Sequence, residues 1–269
     1  MSTARRHYGM TALSRRLVRW GAAIGGVTAA LTVLAAPLDG QSIAERVRAA
    51  GDGQVRMSFT AREGVCGNGR NISTHRSTSD WESWCEPGPV RVAIDVEGGT
   101  IVDIDTYVGG RWRPRRDATD LGSVPAPEAA EYLLSLAARL EGRPSKEAIL
   151  PATLADSAVV WPQLLDIAKN EDRPQGTRKS AVFWVAQAAG EATAEGLEDL
   201  AVDESGDFEV RKSAIFALSQ LRDDQGVPIL IRIARTNTNP RLRKQAIFWL
   251  GQSHDPRALA LFEELLTKP

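Results

Sequence analysis

Hydrophobic positions in the second half of the chain recur at helical spacing, three times in nearly the same sequence. Residues 178–187 read RKSAVFWVAQ, residues 211–220 read RKSAIFALSQ and residues 243–252 read RKQAIFWLGQ. The copies start 33 and 32 residues apart. A regular period of this length predicts stacked helical hairpins, in which each repeat buries its apolar face against its neighbours.

A second apolar stripe accompanies these copies and predicts the second helix of each hairpin. Its residues lie at positions i, i+3 and i+4, which share one helix face. The four sets are Leu164, Ile167 and Ala168; Leu197, Leu200 and Ala201; Leu230, Ile233 and Ala234; and Phe262, Leu265 and Leu266. A degenerate first helix lies one period before the first copy, at Lys146, Ala148, Ile149 and Leu150. We therefore predict a C-terminal α-solenoid of about four hairpins over residues 145–269.

Aromatic residues of the repeated segments fall within these apolar stripes, so we expect them in the core. They are Phe183, Trp184, Phe216, Phe248 and Trp249. A further stripe over residues 127–142 predicts a helix that caps the first repeat. Such a cap is needed because an uncovered end of a repeat stack leaves apolar surface in water.

Alternating apolar and polar residues between positions 51 and 114 predict strands and a small β domain. The charged, proline-bearing segment 115–126 is predicted to be a linker, and residues 37–50 a linker or short helix. The sequence therefore predicts a mainly α protein in which a small β module precedes the repeat domain.

Two of the predicted strands, 90–97 and 101–108, have a register that their apolar residues determine. A two-residue turn would place apolar residues opposite carboxylates. A three-residue loop over 98–100 sets Val96 opposite Val102 and keeps one face of the hairpin apolar. We therefore predict the three-residue loop.

The other face of this hairpin places Asp95 opposite Asp103, with Asp105 nearby. Like charges across a strand pair are unfavourable, so either these carboxylates are solvated or a cation lies between them. Calcium binds carboxylate oxygens of this kind. The three aspartates are therefore candidate metal ligands, and a solvated acidic face is the alternative.

An apolar run over residues 20–36 follows five arginines and predicts an export signal over residues 1–36. The alternative is an uncleaved segment that anchors the chain in a membrane, although the run is short and contains three glycines. We predict a secreted or periplasmic protein.

Both cysteines, Cys66 and Cys85, lie in the predicted β module. An even number of cysteines in an exported chain favours a disulfide. A structural metal site would need four ligands, and a redox pair would be closer in sequence. We therefore predict a disulfide that staples the module.

Net charge bears on the class of partner. Without residues 1–36 the chain carries 28 basic and 34 acidic residues, a net charge of −6. Neutralising phosphates supplies most of the affinity for nucleic acid, so an acidic exported chain is not expected to bind it.

The repeats resemble the HEAT-like family of bacterial helical repeats, in the short form called the phycobilisome-lyase type. A Val-Arg-x-x-Ala core at residues 210–214 and its near match at 242–246 carry the resemblance, which covers residues 145–269. It implies that the repeats bind other proteins. Some relatives are lyases or iron-dependent hydroxylases with His-Glu pairs, but no glutamate follows His7, His75 or His254.

The resemblance also implies a role for the arginine that begins each first helix, Arg178, Arg211 and Arg243. In HEAT-like stacks this arginine pairs with an acidic or amide residue before the helix, here Asp207 and Asn239. The alternative is a basic row that binds an acidic partner. The adjoining lysines are expected to be free of such pairs. They are Lys179, Lys212 and Lys244.

Polar residues of the second helices differ between repeats, unlike those of the first helices, and we expect the partner to bind there. The acidic ones are Glu195, Glu198 and Asp199, and the basic ones are Arg232 and Arg235. A groove with acidic and basic bands favours a protein or peptide over a polyanion. Sequence drift at exposed positions explains the same variation without a partner.

Catalytic motifs are absent from the sequence: it has no glycine-rich phosphate loop, zinc ligand set or nucleophile elbow. We therefore predict an exported scaffold for protein interaction, with no cofactor and no catalytic residues. Two alternatives stay open. One is a lyase-type enzyme or enzyme accessory, and the other is a β module that senses a ligand or metal and uses the repeats as output.

Overall fold

A computed structural model describes residues 40–74, 85–113, 115–187 and 191–267. The predicted export signal lies outside this part of the chain. Residues from Gln41 onward form one compact unit. Within the described ranges, no helix is both long enough and apolar enough to span a membrane.

The β part of the unit contains one helix and short strands. Its elements are α1 (Ile43–Ala50), β1 (Gly53–Phe59), β2 (Cys66–Asn68), β3 (Asn71–Ser73), β4 (Glu86–Pro87), β5 (Val90–Glu97), β6 (Thr100–Val108) and β7 (Ala118–Ser123). Helix α1 begins at Ser42, whose hydroxyl accepts from the Glu45 N–H while the Glu45 carboxylate accepts from the Ser42 N–H. This reciprocal cap explains a stable short helix.

Helices make up the rest of the unit. They are α2 (Ala126–Arg139), α3 (Gly142–Glu147), α4 (Ile149–Thr153), α5 (Trp161–Lys169), α6 (Gln175–Gln187), α7 (Glu191–Val202), α8 (Phe208–Ser219), α9 (Val227–Thr236), α10 (Pro240–Leu250) and α11 (Pro256–Thr267). Helix α2 lies where the capping helix is predicted, and α1 lies within the segment 37–50.

The larger sheet has the strand order β6-β5-β1-β7. Strand β5 pairs antiparallel with β1 and β6, whereas β7 runs parallel to β1. Alternate residues of β1 and β5, such as Val55, Met57 and Ile94, are buried. Helices α1 and α3 pack on this sheet, against β1 and β6 respectively.

In the β5–β6 hairpin Asp95 lies opposite Asp103, as predicted, but the predicted three-residue loop is wrong. The turn is a two-residue Gly-Gly turn, and a bulge beside Asp95 supplies the extra residue. Both glycines adopt positive φ, which tight hairpin turns require. Val96 therefore pairs with Ile101 rather than Val102, and Val102 is 40% exposed.

The segment 115–126, predicted as a linker, contains strand β7 instead. Its polar sequence carries no alternation of apolar residues because an edge strand with no buried side chain needs none. After it, the Val124 N–H donates to the Ser58 carbonyl at 2.8 Å. The chain therefore passes from the sheet into α2 without a flexible connection.

Backbone hydrogen bonds also join the β module to the first repeat. The Arg62 N–H donates to the Leu154 carbonyl at 2.8 Å, and the Asp156 N–H donates to the Thr60 carbonyl at 3.0 Å. The Arg62 guanidinium donates to the Thr153 carbonyl at 2.9 Å. One continuous apolar core runs from the sheet to α11.

A smaller sheet has the strand order β3-β2-β4. Cys66 at the start of β2 and Cys85 before β4 form the predicted disulfide, with Cα atoms 5.1 Å apart. Gly69 pairs with Val108 of β6, so this sheet is attached to the larger one.

The repeated segments form α6, α8 and α10, and the second stripes form α5, α7, α9 and α11. Helix α8 contacts both α6 and α10, and each first helix packs on the second helix before it. Leu164, Leu197 and Leu230 are fully buried, as their stripe predicts.

The two ends of the repeat region depart from the prediction. The first helix of the first repeat is divided into α3 and α4 at Ala148, because Pro151 has no N–H to donate to Glu147. In the last repeat, Leu265 and Leu266 are 49% and 87% exposed, since no later helix of the described chain covers them.

Candidate interaction surfaces

The arginines that begin the first helices are held inside the repeats. Arg178 and Arg211 are buried. Arg178 Nη2 lies 3.5 Å from Asp207 Oδ2 of the next repeat. Arg211 does not reach Asn239, and donates from Nε to the Ala201 carbonyl at 3.2 Å.

Arg243 also lacks the predicted side-chain partner. Its Nη1 donates to the carbonyls of Asn237 and Thr238 at 2.8 and 3.3 Å. Asn239 Oδ1 instead accepts from the Arg241 N–H at 2.9 Å and caps α10. A neutral amide offers an arginine less than a carboxylate does, so backbone carbonyls replace it.

The Asp207 carboxylate accepts hydrogen bonds from several neighbouring groups. Its Oδ1 accepts from the Glu209 N–H at 2.8 Å and thereby caps α8. Gln175 Nε2 donates to both carboxylate oxygens, at 3.1 and 3.0 Å. The hydrogen bond from Gln175 and those from the backbone, together with the charge of Arg178, hold the pKa of Asp207 below its ordinary value.

Two of the three neighbouring lysines are paired, contrary to the prediction. Lys179 and Lys212 lie 3.7 and 3.5 Å from the Glu209 carboxylate, which is shared between two repeats. Lys244 is exposed and forms no ion pair with a described residue. Lys244 lacks such a partner because Arg241 stands three residues before it, where Glu209 stands before Lys212.

Charges of the second helices are largely paired with one another across repeats. Arg232 Nε donates to Glu198 Oε1 at 2.7 Å, and Arg235 Nη2 donates to Glu264 Oε2 at 2.5 Å. Asp199 accepts from Lys169 at 3.4 Å, and Glu195 is exposed. The predicted bands of opposite charge are therefore a set of cross-repeat ion pairs.

The aromatic residues of the first helices are only partly buried, contrary to the expectation that they lie in the core. Phe183 is 44% and Phe248 53% exposed, and Trp184, Phe216 and Trp249 are half-buried. We call these five residues the aromatic row. Phe216 and Trp249 join neighbouring repeats, with ring centroids 4.9 Å apart.

A single substitution between repeats accounts for the exposure of Phe183. Trp249 of α10 covers Phe216 of the preceding repeat. The position in α8 that corresponds to Trp249 is Ala217, so no ring extends from α8 over Phe183. Helical periodicity alone did not reveal this, because it depends on which residue the next repeat supplies.

The candidate metal ligands of the β module have protein partners. Asp105 accepts from Arg70 and from the Tyr107 hydroxyl, and Asp103 lies 3.6 Å from Arg143. Gln54 Nε2 donates to Asp95 Oδ1 at 2.9 Å. Among the residues that the structure describes, no group of three or more such side chains is placed to hold a metal ion. Arginines thus supply the positive charge that this acidic face requires.

His254 is the histidine that lies within the described part of the chain. Its side chain is exposed, and it makes no hydrogen bond with a described residue. No nucleophile is therefore oriented by this imidazole in the described structure.

Comparison with known proteins identifies the repeats. Residues 161–247 and residues 194–269 match the family model for HEAT repeats. No curated protein matches the chain.

Proposed function

We propose, from the HEAT repeats found in residues 161–269, that the chain is an exported scaffold that binds a protein or peptide partner without catalysing a reaction. HEAT repeats commonly mediate protein interactions. The α-solenoid of about four hairpins, of the phycobilisome-lyase type, is the architecture that we propose for this scaffold.

The aromatic row is the observation that carries the proposal. Phe183 and Phe248 occupy corresponding positions two repeats apart and expose about half of their side chains. Burying the exposed half of one such ring against a partner contributes about 0.8–1.5 kcal/mol, half of the value for a fully exposed side chain. Large aromatic side chains also dominate the binding energy of many protein interfaces.

Charge beside the row indicates the chemistry of the partner. Lys244 lies one helical turn before Phe248, is exposed, and has no ion-pair partner in the described chain. We propose a partner segment that places apolar side chains on the row and a carboxylate near Lys244. A charge at the edge of an interface contributes mainly to association rate and specificity.

The second-helix charges form a second proposed contact region, comprising Glu195, Glu198, Asp199, Arg232 and Arg235. A partner binding there exchanges its own charges for the existing cross-repeat pairs. Exposed ion pairs contribute only about 0–1 kcal/mol each, so breaking them costs little. This region therefore suits selection among partners better than it suits tight binding.

Export is supported by the signal-like residues 1–36 and by the disulfide of the β module. Disulfides persist in oxidising compartments such as the periplasm or the extracellular space. If the signal is not cleaved, the same segment anchors the scaffold to a membrane.

The test is crosslinking and affinity capture of the full chain from the exported fraction of the native cell. One variant, Phe183→Ser with Phe248→Ser, removes the two exposed rings. A second, Arg232→Glu with Arg235→Glu, reverses the second-helix charges. Val159→Ser is the matched control, since Val159 is 74% exposed but lies outside both surfaces.

We expect one specific protein with the wild type and the control, and its loss with the folded phenylalanine variant. Loss with the arginine variant alone would move the contact to the second helices. Equal recovery with all variants, or recovery of no specific protein, would contradict a scaffold that uses either surface.

A further inference from the structure

A concave site lies where the β module meets α2, away from the aromatic row. It is a cavity of about 500 Å³ between α1, the tip of the β5–β6 hairpin and α2. Ligand pockets in proteins commonly span about 300–1,000 Å³. The cavity is therefore large enough for a small organic molecule.

The walls of the cavity combine apolar and basic side chains. Val47, Val96 and Ile101 are among the apolar residues, and Arg48 and Arg139 bring two guanidinium groups to the same cavity. No acidic side chain of the described residues lines it. Within that part of the chain, neither arginine side chain forms an ion pair or donates a hydrogen bond.

Another arginine of α1, Arg46, does have a hydrogen-bond partner. Its Nη2 donates to the Leu121 carbonyl at 2.5 Å. Arg48 and Arg139 are both exposed and line the same cavity, and neither side chain has a partner among the described residues, so both are available to an anion. The arrangement of Arg48 and Arg139 therefore favours an anionic ligand.

Tyr132 provides an independent observation on the same cavity. The residue lines it and is only 7% exposed as a whole, but its hydroxyl oxygen is reached by solvent and has no hydrogen-bond partner among the described residues. The hydroxyl is therefore free to donate to a ligand in the cavity. Burial raises the pKa of Tyr132 to about 12, against the opposing charges of Arg139 and Arg48. The hydroxyl therefore stays protonated and remains a donor at neutral pH.

We propose that this cavity binds a small carboxylate with an apolar body. Arg48 and Arg139 bind the carboxylate, the Tyr132 hydroxyl donates to it, and the apolar body lies against Val47, Val96 and Ile101. The apolar wall distinguishes this ligand from an inorganic anion. The site goes beyond the scaffold function and does not depend on it, because none of its residues belongs to the repeats.

Calorimetric titration of the purified full chain with octanoate tests the proposal. We expect saturable binding of one octanoate per chain. Removing a charge-assisted contact weakens binding by about tenfold or more, which is the loss expected for Arg48→Gln and for Arg139→Gln. Tyr132→Phe removes only the hydroxyl and should weaken binding by about threefold to tenfold.

Controls separate this site from non-specific binding. Arg116→Gln removes an exposed arginine outside the cavity and should bind octanoate like the wild type. Octanol lacks the carboxylate, and inorganic phosphate lacks the apolar body, so both should bind at least tenfold more weakly than octanoate.

Three results would overturn the proposal. They are the absence of saturable octanoate binding, equal binding of octanoate and octanol, and unchanged affinity in both arginine variants. Phosphate binding as tight as octanoate binding would replace it with a simple anion site. Both arginines are exposed, so each variant should keep the thermal stability of the ligand-free wild type, which circular dichroism verifies.

Discussion

The arginines that begin the first helices differ in the acceptor that they use. Arg178 lies beside the Asp207 carboxylate, whereas Arg211 and Arg243 use backbone carbonyls. A buried charge without a partner is costly, so each arginine takes whatever acceptor lies within reach. The repeated arginine is therefore a structural residue whose partner varies.

Asp207→Ala should lower the free energy of unfolding by about 1–3 kcal/mol, because it removes the cap of α8 and the partner of Arg178. Asp207→Asn keeps a cap and loses only the charge, so it should cost less.

The pKa of Asp207 is lowered in the folded state. The stability that the charge contributes is therefore present at neutral pH and is lost as the pH falls below about 4. Urea denaturation at pH 7 and pH 3 measures both effects.

Asn239→Ala is the matched control, since Asn239 caps α10 without an ion pair. It should cost only the cap, about 1 kcal/mol, with no dependence on pH. If Asp207→Ala costs no more than Asn239→Ala, the contact with Arg178 does not stabilise the fold.

At the scale of elements, helix α3 carries a carboxyl group towards strand β6. Burial, and secondarily its approach to Asp103, raises the pKa of Glu147, although Arg143 acts in the opposite direction. The folded state therefore favours the protonated form of Glu147. This contribution to stability is complete below the ordinary pKa of glutamate and is lost as the pH rises through the raised value.

Glu147→Gln imitates the protonated form and should raise the melting temperature at pH 7.5 by about 1–3 °C. At pH 4 the gain should disappear because the wild-type side chain is then largely protonated. Thermal circular dichroism at both pH values makes the comparison. Glu141→Gln is the control, as Glu141 is an exposed partner of Arg173 and should show no such gain. A lower melting temperature for Glu147→Gln at pH 7.5 would mean that the pair with Arg143 outweighs the repulsion from Asp103.

Strong periodicity made most helices predictable, whereas polar or proline-containing elements were missed. The stripes around Leu197 and Leu230 indicated α7 and α9 because both helices bury one face in the core. Strand β7 buries no side chain, so its sequence contains no signal of pairing with β1. The break at Ala148 follows from Pro151, a local signal that the repeat pattern does not contain.

Candidate sites were predictable only where composition or the pairing of neighbouring strands defines them. The Cys66–Cys85 disulfide followed from composition, and the Asp95–Asp103 pairing followed from strand register. The cavity of Arg48, Tyr132 and Arg139 comes from two helices that are distant in sequence. No spacing rule connects those residues, and only tertiary packing brings them together.

At the scale of the whole molecule, the β module and the repeats are expected to unfold together. They share one apolar core and the hydrogen bonds between Arg62 and Leu154 and between Asp156 and Thr60. Joint replacement of Cys66 and Cys85 by alanine should therefore lower the melting temperature of the helices as well as that of the sheets. The expected loss is about 3 kcal/mol, from the entropy of the loop that the disulfide closes.

Far-UV circular dichroism, which reports mainly on the helices, measures this effect far from the substituted residues. Wild-type protein with its disulfide reduced should melt like the double variant. An unchanged helical transition in the double variant would show that the module unfolds independently of the repeats.

The attachment of the sheet to the first repeat also limits how such a chain changes over generations. Duplication or loss of a whole repeat beyond residue 161 exchanges one helical interface for a similar one. The same event over residues 142–156 would remove the acceptor for Arg62 and the donor to Thr60, and would detach the β module from the repeats. Related genes are therefore expected to differ in repeat number towards the C-terminal side, while the first repeat is inherited together with the β module.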